Sequence, residues 1–251
     1  GARKKPIAAG VKLTAMDELN IQIILIRHGE TEYNREGRIQ GTLDSPLTER
    51  GRLESSTLGV SMRDWLPPVH QWLVSPQGRA RESSRLIRDH FANGGQAVRV
   101  LPAEELEESA REINCGDYEG KITETLDQSI IQKVRELADF PYPQGESLVD
   151  VMNRGKFVLA RVIESSQRAH NAHPDLNEYR VVLVSHGNFI RAFGALLTRL
   201  GPEFALRAFQ SNTGVNRLVS RDGGRGFKIL TWNDTSHMNQ HPTEAANLGT
   251  A

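Results

Sequence analysis

The apolar positions of this chain form unbroken runs in some places and helical stripes in others. The run Ile21-Gln-Ile-Ile-Leu-Ile26 is almost wholly apolar, mostly β-branched and free of alternation. Such a run reads as a strand buried on both faces, as in the middle of a parallel sheet, here over 21–27. Val181-Val-Leu-Val184 repeats the pattern and predicts a strand over 179–185. Each run is followed by a His-Gly pair, His28-Gly29 and His186-Gly187. Gln71-Trp-Leu-Val-Ser75 and Ala97-Val-Arg-Val-Leu101 predict two more strands. Residues 215–220 and 227–232, joined by Arg-Asp-Gly-Gly-Arg-Gly, read as a terminal hairpin.

The stripes predict the helices. Thr48 is a suitable N-cap for a helix in which Leu53, Thr57 and Val60 share a face and which Pro67-Pro68 ends. Pro76 suits the first position of the next helix, to about Phe91. Residues 122–138 read as helical, and Leu148, Val151, Met152, Leu159, Val162 and Ile163 give a stripe from 146 to about 166. A last helix covers 189–200, where Gly201-Pro202 breaks it.

The polar, glycine-punctuated segment 29–45 reads as a loop, long enough for a compact domain to imply a function. Asn93-Gly94-Gly95 is a turn, 102–121 an acidic irregular segment over the sheet edge, and 170–177 a loop. Residues 1–19 read as a flexible arm and 237–251 as a loose tail, leaving one domain over 20–236. Strands alternating with helices mean a layered α/β sandwich.

Composition narrows the partners. Of 251 residues 38% are apolar and 25% charged, which fits a globular chain. Lys plus Arg number 31 and so do Asp plus Glu, which argues against a nucleic-acid or anionic-membrane surface. No apolar run approaches the roughly 20 residues of a membrane-spanning helix, and no secretory leader is evident. The lone cysteine, Cys115, rules out an internal disulfide and makes a reducing, cytoplasmic setting the expectation.

The chemistry gathers after the strands. In Arg27-His28-Gly29-Glu30-Thr31 an imidazole beside a guanidinium can act as nucleophile or base next to an anion clamp. The plain alternative is a surface pair in a turn. Arg79, in Ser75-Pro-Gln-Gly-Arg-Ala-Arg-Glu-Ser83, falls in a first helical turn, where a cation is misplaced against the macrodipole unless it serves an anion. Arg81 and Arg85 read as solvated. His186 alone is as well read as structural; its match with His28 at a second strand end lowers the odds of that. His70, His90, His170, His173, His237 and His241 read as surface histidines, and Cys115 as a filler.

Arg-His-Gly-Glu-Thr-Glu-Tyr-Asn, Gln-Gly and Asp-Ser-Pro-Leu-Thr-Glu-Arg-Gly resemble the histidine phosphatase superfamily, which includes cofactor-dependent phosphoglycerate mutases. Ser-Pro-x-x-Arg-Ala-x-x-Ser, Arg-Glu-Ile-x-x-Gly-x-Tyr-Glu-Gly, Gln-Gly-Glu-Ser and Ser-His-Gly-Asn resemble its later motifs in the same order, across about 21–232. The resemblance implies a three-layer α/β/α sandwich with a mostly parallel central sheet. It implies a phosphatase working through phosphohistidine: His28 as nucleophile, Arg27, Arg79 and His186 around the phosphoryl group, and Glu112 as proton donor, with Glu108, Glu107 and Glu104 as fallbacks. Thr31, Asn34, Gln40, Gly41, Gly187 and Asn188 would line the substrate side. No metal and no other cofactor is implied; the partners are a small phosphorylated substrate and inorganic phosphate.

Three other readings compete. A mutase would return the phosphoryl group to a second hydroxyl, but the Phe-Thr-Gly-Trp and Glu-Arg-x-Tyr-Gly patterns usual in mutases are missing. A non-catalytic phosphate-binding protein is expected to lack one of His28, Arg79 or His186. A metallohydrolase built on His28, His186 and a carboxylate often carries closely spaced ligands such as His-Glu-x-x-His, and none occurs.

Overall fold

Strand β1 (Asn20–Arg27) has Ile21, Ile23 and Leu25 on one face and Ile24 and Ile26 on the other, all buried. A strand apolar on both faces needs a helical layer on each. The computed structural model, which describes residues 19–93 and 100–240, supplies both. The sheet also contains β2 (Gln71–Val74), β3 (Glu104–Leu106), β4 (Glu178–Ser185), β5 (Val215–Ser220) and β6 (Lys228–Asp234), in the order β3-β2-β4-β1-β5-β6. β1 to β4 run parallel, β5 runs antiparallel to β1, and β6, antiparallel to β5, returns to the direction of the first four, so the expected mostly parallel sheet is present.

On one face, Leu58 and Met62 of α2 (Glu49–Trp65) and Ile87 and Phe91 of α3 (Gly78–Asn93) cover Ile24, Ile26, Trp72 and Val184. On the other, α5 (Leu148–Ala172) and α6 (Gly187–Thr198) place Val151, Val158, Val162, Phe189 and Phe193 over Ile21, Ile23, Leu25 and Leu183. The result is the three-layer α/β/α sandwich. Among the described residues no helix is long and apolar enough to cross a membrane.

Several local expectations need correction. The buried face of α2 is not Leu53, Thr57 and Val60: Leu53 is 48% and Val60 45% exposed. Its buried face is Gly51, Glu54, Ser55, Leu58, Gly59 and Met62. Small residues draw this helix in. A Cβ on Gly51 would stand 2.1 Å from the Glu30 carbonyl oxygen, and one on Gly59 2.4 Å from that of Ile87. Hydrophobic periodicity does not register close approach made by glycine.

The segment 29–45 contains a one-turn helix, α1 (Glu32–Arg35), capped by the Thr31 hydroxyl, which accepts from Asn34 N at 3.2 Å. Within the acidic stretch 102–121, β3 pairs with β2, Trp72 facing Glu104. It is an edge strand, and acids in and just after it are neutralised from the side: Glu105 and Glu107 both pair with Arg161. Charges on an edge discourage further strand pairing. The expected strand 97–101 and turn 93–95 lie mostly outside the described residues, and Val100 and Leu101 carry no strand.

The helix in 122–138 is shorter than expected, α4 (Gln128–Glu136), with Asp127 as cap. α5 runs on to Ala172, past the expected end at 166 and into the expected loop 170–177, while α6 starts two residues early. Beyond Gly201 a short α7 (Pro202–Arg207) begins with its proline in the first turn. The arm before 19, the tail after 240 and His241 lie outside the described residues. Leu19 is fully buried in the core, and 236–240, the start of the expected loose tail included, forms a 3₁₀ turn.

Candidate active site

β1 and β4 are neighbours with Arg27 opposite Ser185, so the next residues, His28 and His186, stand side by side at the carboxyl edge of the sheet. Their ring centroids are 5.2 Å apart. Ligands of open α/β sheets bind at this edge.

His28 is buried, and its Nδ1 lies 2.7 Å from the Gly29 carbonyl oxygen. A carbonyl only accepts, so Nδ1 carries the proton and Nε2 keeps its lone pair. Gly29 itself donates its N–H to Ser83 Oγ at 2.9 Å. Burial, then Arg79 and Arg27, hold the His28 pKa well below the ordinary 6.5, so the ring is neutral at pH 7. His186 is also held well below its ordinary value, by burial, then Arg79 and His28. Its Nε2 is 2.7 Å from Ser75 Oγ.

Two guanidiniums flank the rings. Arg27 Nη1 donates to the Gln210 carbonyl at 2.6 Å. Arg79, second residue of α3, donates from Nη1 to the Leu43 carbonyl at 2.7 Å and Asp44 Oδ1 at 3.1 Å, and from Nη2 to the Gly41 carbonyl at 2.9 Å. Burial lowers Arg27 to about 10, which leaves it a cation at pH 7. The Nε atoms of Arg27 and Arg79 and Nδ1 of His186 are buried and have no partner among the described residues. A buried polar group without a partner costs about 1–3 kcal/mol, and three of them around a neutral imidazole suit an anion.

Glu112 comes from the segment after β3. Arg154 of α5 anchors that segment, donating from Nη2 to the Glu112 carbonyl at 3.0 Å and from Nη1 to the Ser109 carbonyl at 2.6 Å. Gln77 Oε1 accepts the Glu112 N–H at 2.7 Å. Oε1 of the carboxylate accepts from Ile113 N at 2.8 Å and Phe189 N at 3.2 Å, and Oε2 from Asn188 N at 3.3 Å. The first turn of α6 thus orients it.

Arg27, His28, Arg79 and Glu112 line one cavity of about 610 Å³ together with Asn34, Gln40, Gly41, Gly187 and Asn188. Two expected site residues are not in its wall. Thr31 is fully buried and acts through its cap, setting Asn34 rather than facing the cavity. His186 is fully buried against the His28 ring. Glu104, Glu107 and Glu108 do not line the cavity either, which leaves Glu112 as the donor candidate. Among the described residues no group of three or more His, Cys, Asp or Glu side chains is arranged to hold a metal ion.

Sequence reasoning missed Gln77, Tyr142, Arg191, Gln210 and Asn212. Arg191 was within reach of it: three residues after Asn188 on a helix, it shares that face. Gln210 and Asn212 carry no motif, and only the antiparallel return of β5 beside β1 brings them in. Asn212 Nδ2 donates to the His28 carbonyl at 3.0 Å, and Thr213 N to the Arg27 carbonyl at 3.1 Å. Thr213 has a left-handed backbone, φ 51°, rare for a β-branched residue. Its hydroxyl is 2.9 Å from Nε2 of His237, which is buried and not the surface histidine expected.

Burial lowers the pKa of His237 from 6.5 to about 4. With His28, His186 and His237 all depressed, the unfolded chain takes up protons that the folded chain refuses. Stability is therefore whole above pH 6.5 and falls as pH drops from there toward the folded values. His237 alone accounts for roughly 2 kcal/mol lost between about pH 6.5 and 4.5. Urea midpoints for wild type and His237→Gln across that window should show the flatter slope in the variant; parallel slopes would exclude His237 as a source.

The profile of the histidine phosphatase superfamily (branch 1) matches residues 23–235. Probable phosphoglycerate mutase GpmB of Escherichia fergusonii is 32% identical over 228 residues, covering 87% of this chain and 95% of that protein. The structure of a mycobacterial glucosyl-3-phosphoglycerate phosphatase in complex with VO3 aligns with a TM-score of 0.72 at 25% identity, covering 84% of this chain and 98% of that one. Bacillus stearothermophilus YhfR aligns at 0.67 with 30% identity, covering 87% and 99%. Profile, relatives and fold span the same stretch as the paired histidines, and the chain belongs to the histidine phosphatase superfamily, branch 1.

Proposed function

We propose that this chain is a phosphomonoesterase that works through a phosphohistidine at Nε2 of His28. The observation that carries the reading is the fixed tautomer: Nδ1–H is engaged by the Gly29 carbonyl, so the free lone pair is on Nε2, and Arg79 and Arg27 both act on the ring. In the first step Nε2 attacks phosphorus in line. The P–N bond forms, the P–O bond to the leaving group breaks, and the departing oxygen takes a proton from Glu112. In the second step a water attacks phosphorus, Glu112 accepts its proton, the P–N bond breaks, and phosphate leaves with His28 regenerated.

Phosphoryl transfer needs positioning and charge stabilisation above all. Arg27 and Arg79 supply the charge stabilisation in this reading, without a metal, and the neutral His186 ring packs against His28. Among the described residues Oε2 of Glu112 accepts one protein hydrogen bond, that from Asn188 at 3.3 Å, so it has capacity for the proton that moves. Asn34, Gln40, Gly41, Gly187 and Asn188 contact the rest of the ester.

A mutase is the second reading, favoured by the name of the GpmB relatives; there a hydroxyl replaces water in the second step. One experiment separates them. After chelator treatment, phosphate release is measured from sugar phosphates, phosphorylated sugar acids, nucleotides and phosphopeptides, and 3-phosphoglycerate is also followed for isomerisation. Release that survives chelation supports the hydrolase. Isomerisation without release supports the mutase, and release that needs added metal overturns the metal-free mechanism.

A further inference from the structure

Glu119 stands outside the cavity wall, yet it joins two segments that build one side of it. Residues 37–42 bring Arg38, Ile39, Gln40 and Gly41 to the cavity, and residues 115–123 bring Cys115 and Thr123. The two are laced together by backbone hydrogen bonds. Ile39 N donates to the Lys121 carbonyl at 2.9 Å, Gly120 N to the Ile39 carbonyl at 2.8 Å, and Thr123 N to the Gly37 carbonyl at 3.0 Å. Beyond Ile39 the lacing passes to a carboxylate. Oε1 of Glu119 accepts from Thr42 N at 2.7 Å and from Cys115 N at 3.0 Å, and Oε2 from the Thr42 hydroxyl at 2.6 Å. All three donors are neutral, so acceptor geometry makes this contact. Gly41 has a left-handed backbone, φ 54°, and a Cβ there would stand 2.2 Å from Glu119 Oε1, so the carboxylate fits only against a glycine.

Two site residues hang on the turn that this carboxylate pins. The Gly41 carbonyl accepts from Arg79 Nη2 and from Gln77 Nε2, both at 2.9 Å, and the Leu43 carbonyl from Arg79 Nη1 at 2.7 Å. A guanidinium carries its donors in one rigid plane, so fixing two nitrogens fixes the third. That third nitrogen, Nε of Arg79, is buried and unpartnered among the described residues. Gln77 carries the link on to Glu112, whose N–H its Oε1 accepts at 2.7 Å.

We propose that Glu119 is a positioning residue. By pinning Gly41 and Thr42 it sets the Arg79 guanidinium, and through Gln77 the Glu112 backbone, for the phosphoryl group at His28. This placement matters for turnover under the phosphomonoesterase reading, on which it rests. A misplaced guanidinium loses much of its hold on the charge that develops in the transition state. Glu119 therefore contributes to turnover without touching the ester.

The test reads inorganic phosphate binding by calorimetry, kcat/KM on p-nitrophenyl phosphate, and the melting temperature of each variant. Glu119→Ala removes all three contacts and should lower phosphate affinity and kcat/KM about 10-fold each, at a temperature where the variant is folded. Glu119→Gln keeps them: its amide oxygen can accept both N–H groups and its amide nitrogen can donate to the Thr42 hydroxyl. It should stay within about twofold of wild type. The Arg79→Ala background separates positioning from general support of the fold. There Glu119→Ala should cost less than about twofold in phosphate affinity, because the guanidinium that it would misplace is gone.

Should Glu119→Ala fail to fold, Thr42→Ala alters an exposed side chain and removes the Oε2 contact alone. It should cost about threefold in phosphate affinity with Arg79 present and nothing measurable without it. Equal losses in the two backgrounds, a lower melting temperature with phosphate affinity unchanged, or Glu119→Gln as damaging as Glu119→Ala would overturn the positioning role. Phosphate binding does not depend on hydrolysis. Coupling to Arg79 in a protein that releases no phosphate from any ester sinks the phosphatase reading and keeps the role; release without the coupling does the reverse.

Discussion

Replacing His28 with alanine removes turnover, by a factor of about 10⁴ or more, and leaves the protein folded. The loss is that large because, among the described residues, no other imidazole lines the cavity. Burial pushes the Cys115 thiol well above its ordinary value, and burial likewise raises the Tyr142 hydroxyl, so both are protonated at pH 7. The fold survives because His28 belongs to neither apolar cluster and its backbone N–H still donates to the Ser185 carbonyl at 3.0 Å. Phosphate release, thermal melting and capture of an acid-labile, alkali-stable phosphoryl label check the three parts. A variant that still carries the label would move the nucleophile elsewhere.

Glu112→Gln separates the two half-reactions. The first needs a proton for a poor leaving group such as an alkoxide, whereas p-nitrophenolate leaves without one. Since kcat/KM reports only the steps through the first irreversible one, alkyl phosphates should lose about 10²–10³-fold and p-nitrophenyl phosphate far less. The second half-reaction needs the carboxylate as base, so kcat should fall on both substrates and labelled phosphoenzyme should accumulate. Equal losses in kcat/KM on the two esters, with no accumulation, would remove Glu112 from proton transfer.

His186 acts behind His28 rather than in the cavity wall. Its Nε2 faces Ser75 Oγ, which also accepts from Gln77 N at 3.4 Å, so the serine proton is available to the imidazole. Gln77 ties the same region to both halves of the site: Nε2 donates to the Gly41 carbonyl at 2.9 Å, and Oε1 receives the Glu112 N–H. Behind β1, Asn212, Thr213 and His237 hold the backbone of Arg27 and His28 from a segment nearly two hundred residues away in sequence. The strained backbone of Thr213 sits at this junction, a usual place for strain that surrounding contacts must sustain.

The sequence alone determined the strands β1 and β4, because residues apolar on both faces have no other stable place than the middle of a covered sheet. It determined the Thr48 cap, the terminal hairpin, and the placing of His28, Arg79 and His186 at strand ends and a helix start, because these are signals carried by neighbouring residues. Only the tertiary structure decided which face α2 buries, since Gly51, Ser55 and Gly59 act by letting another backbone approach. It alone made Glu104–Leu106 an edge strand, buried His237 under Thr213, and brought Gln210 and Asn212 to Arg27 and His28. Those outcomes depend on groups far apart in the chain, and no local period or spacing encodes a contact that forms only when β5 folds back beside β1.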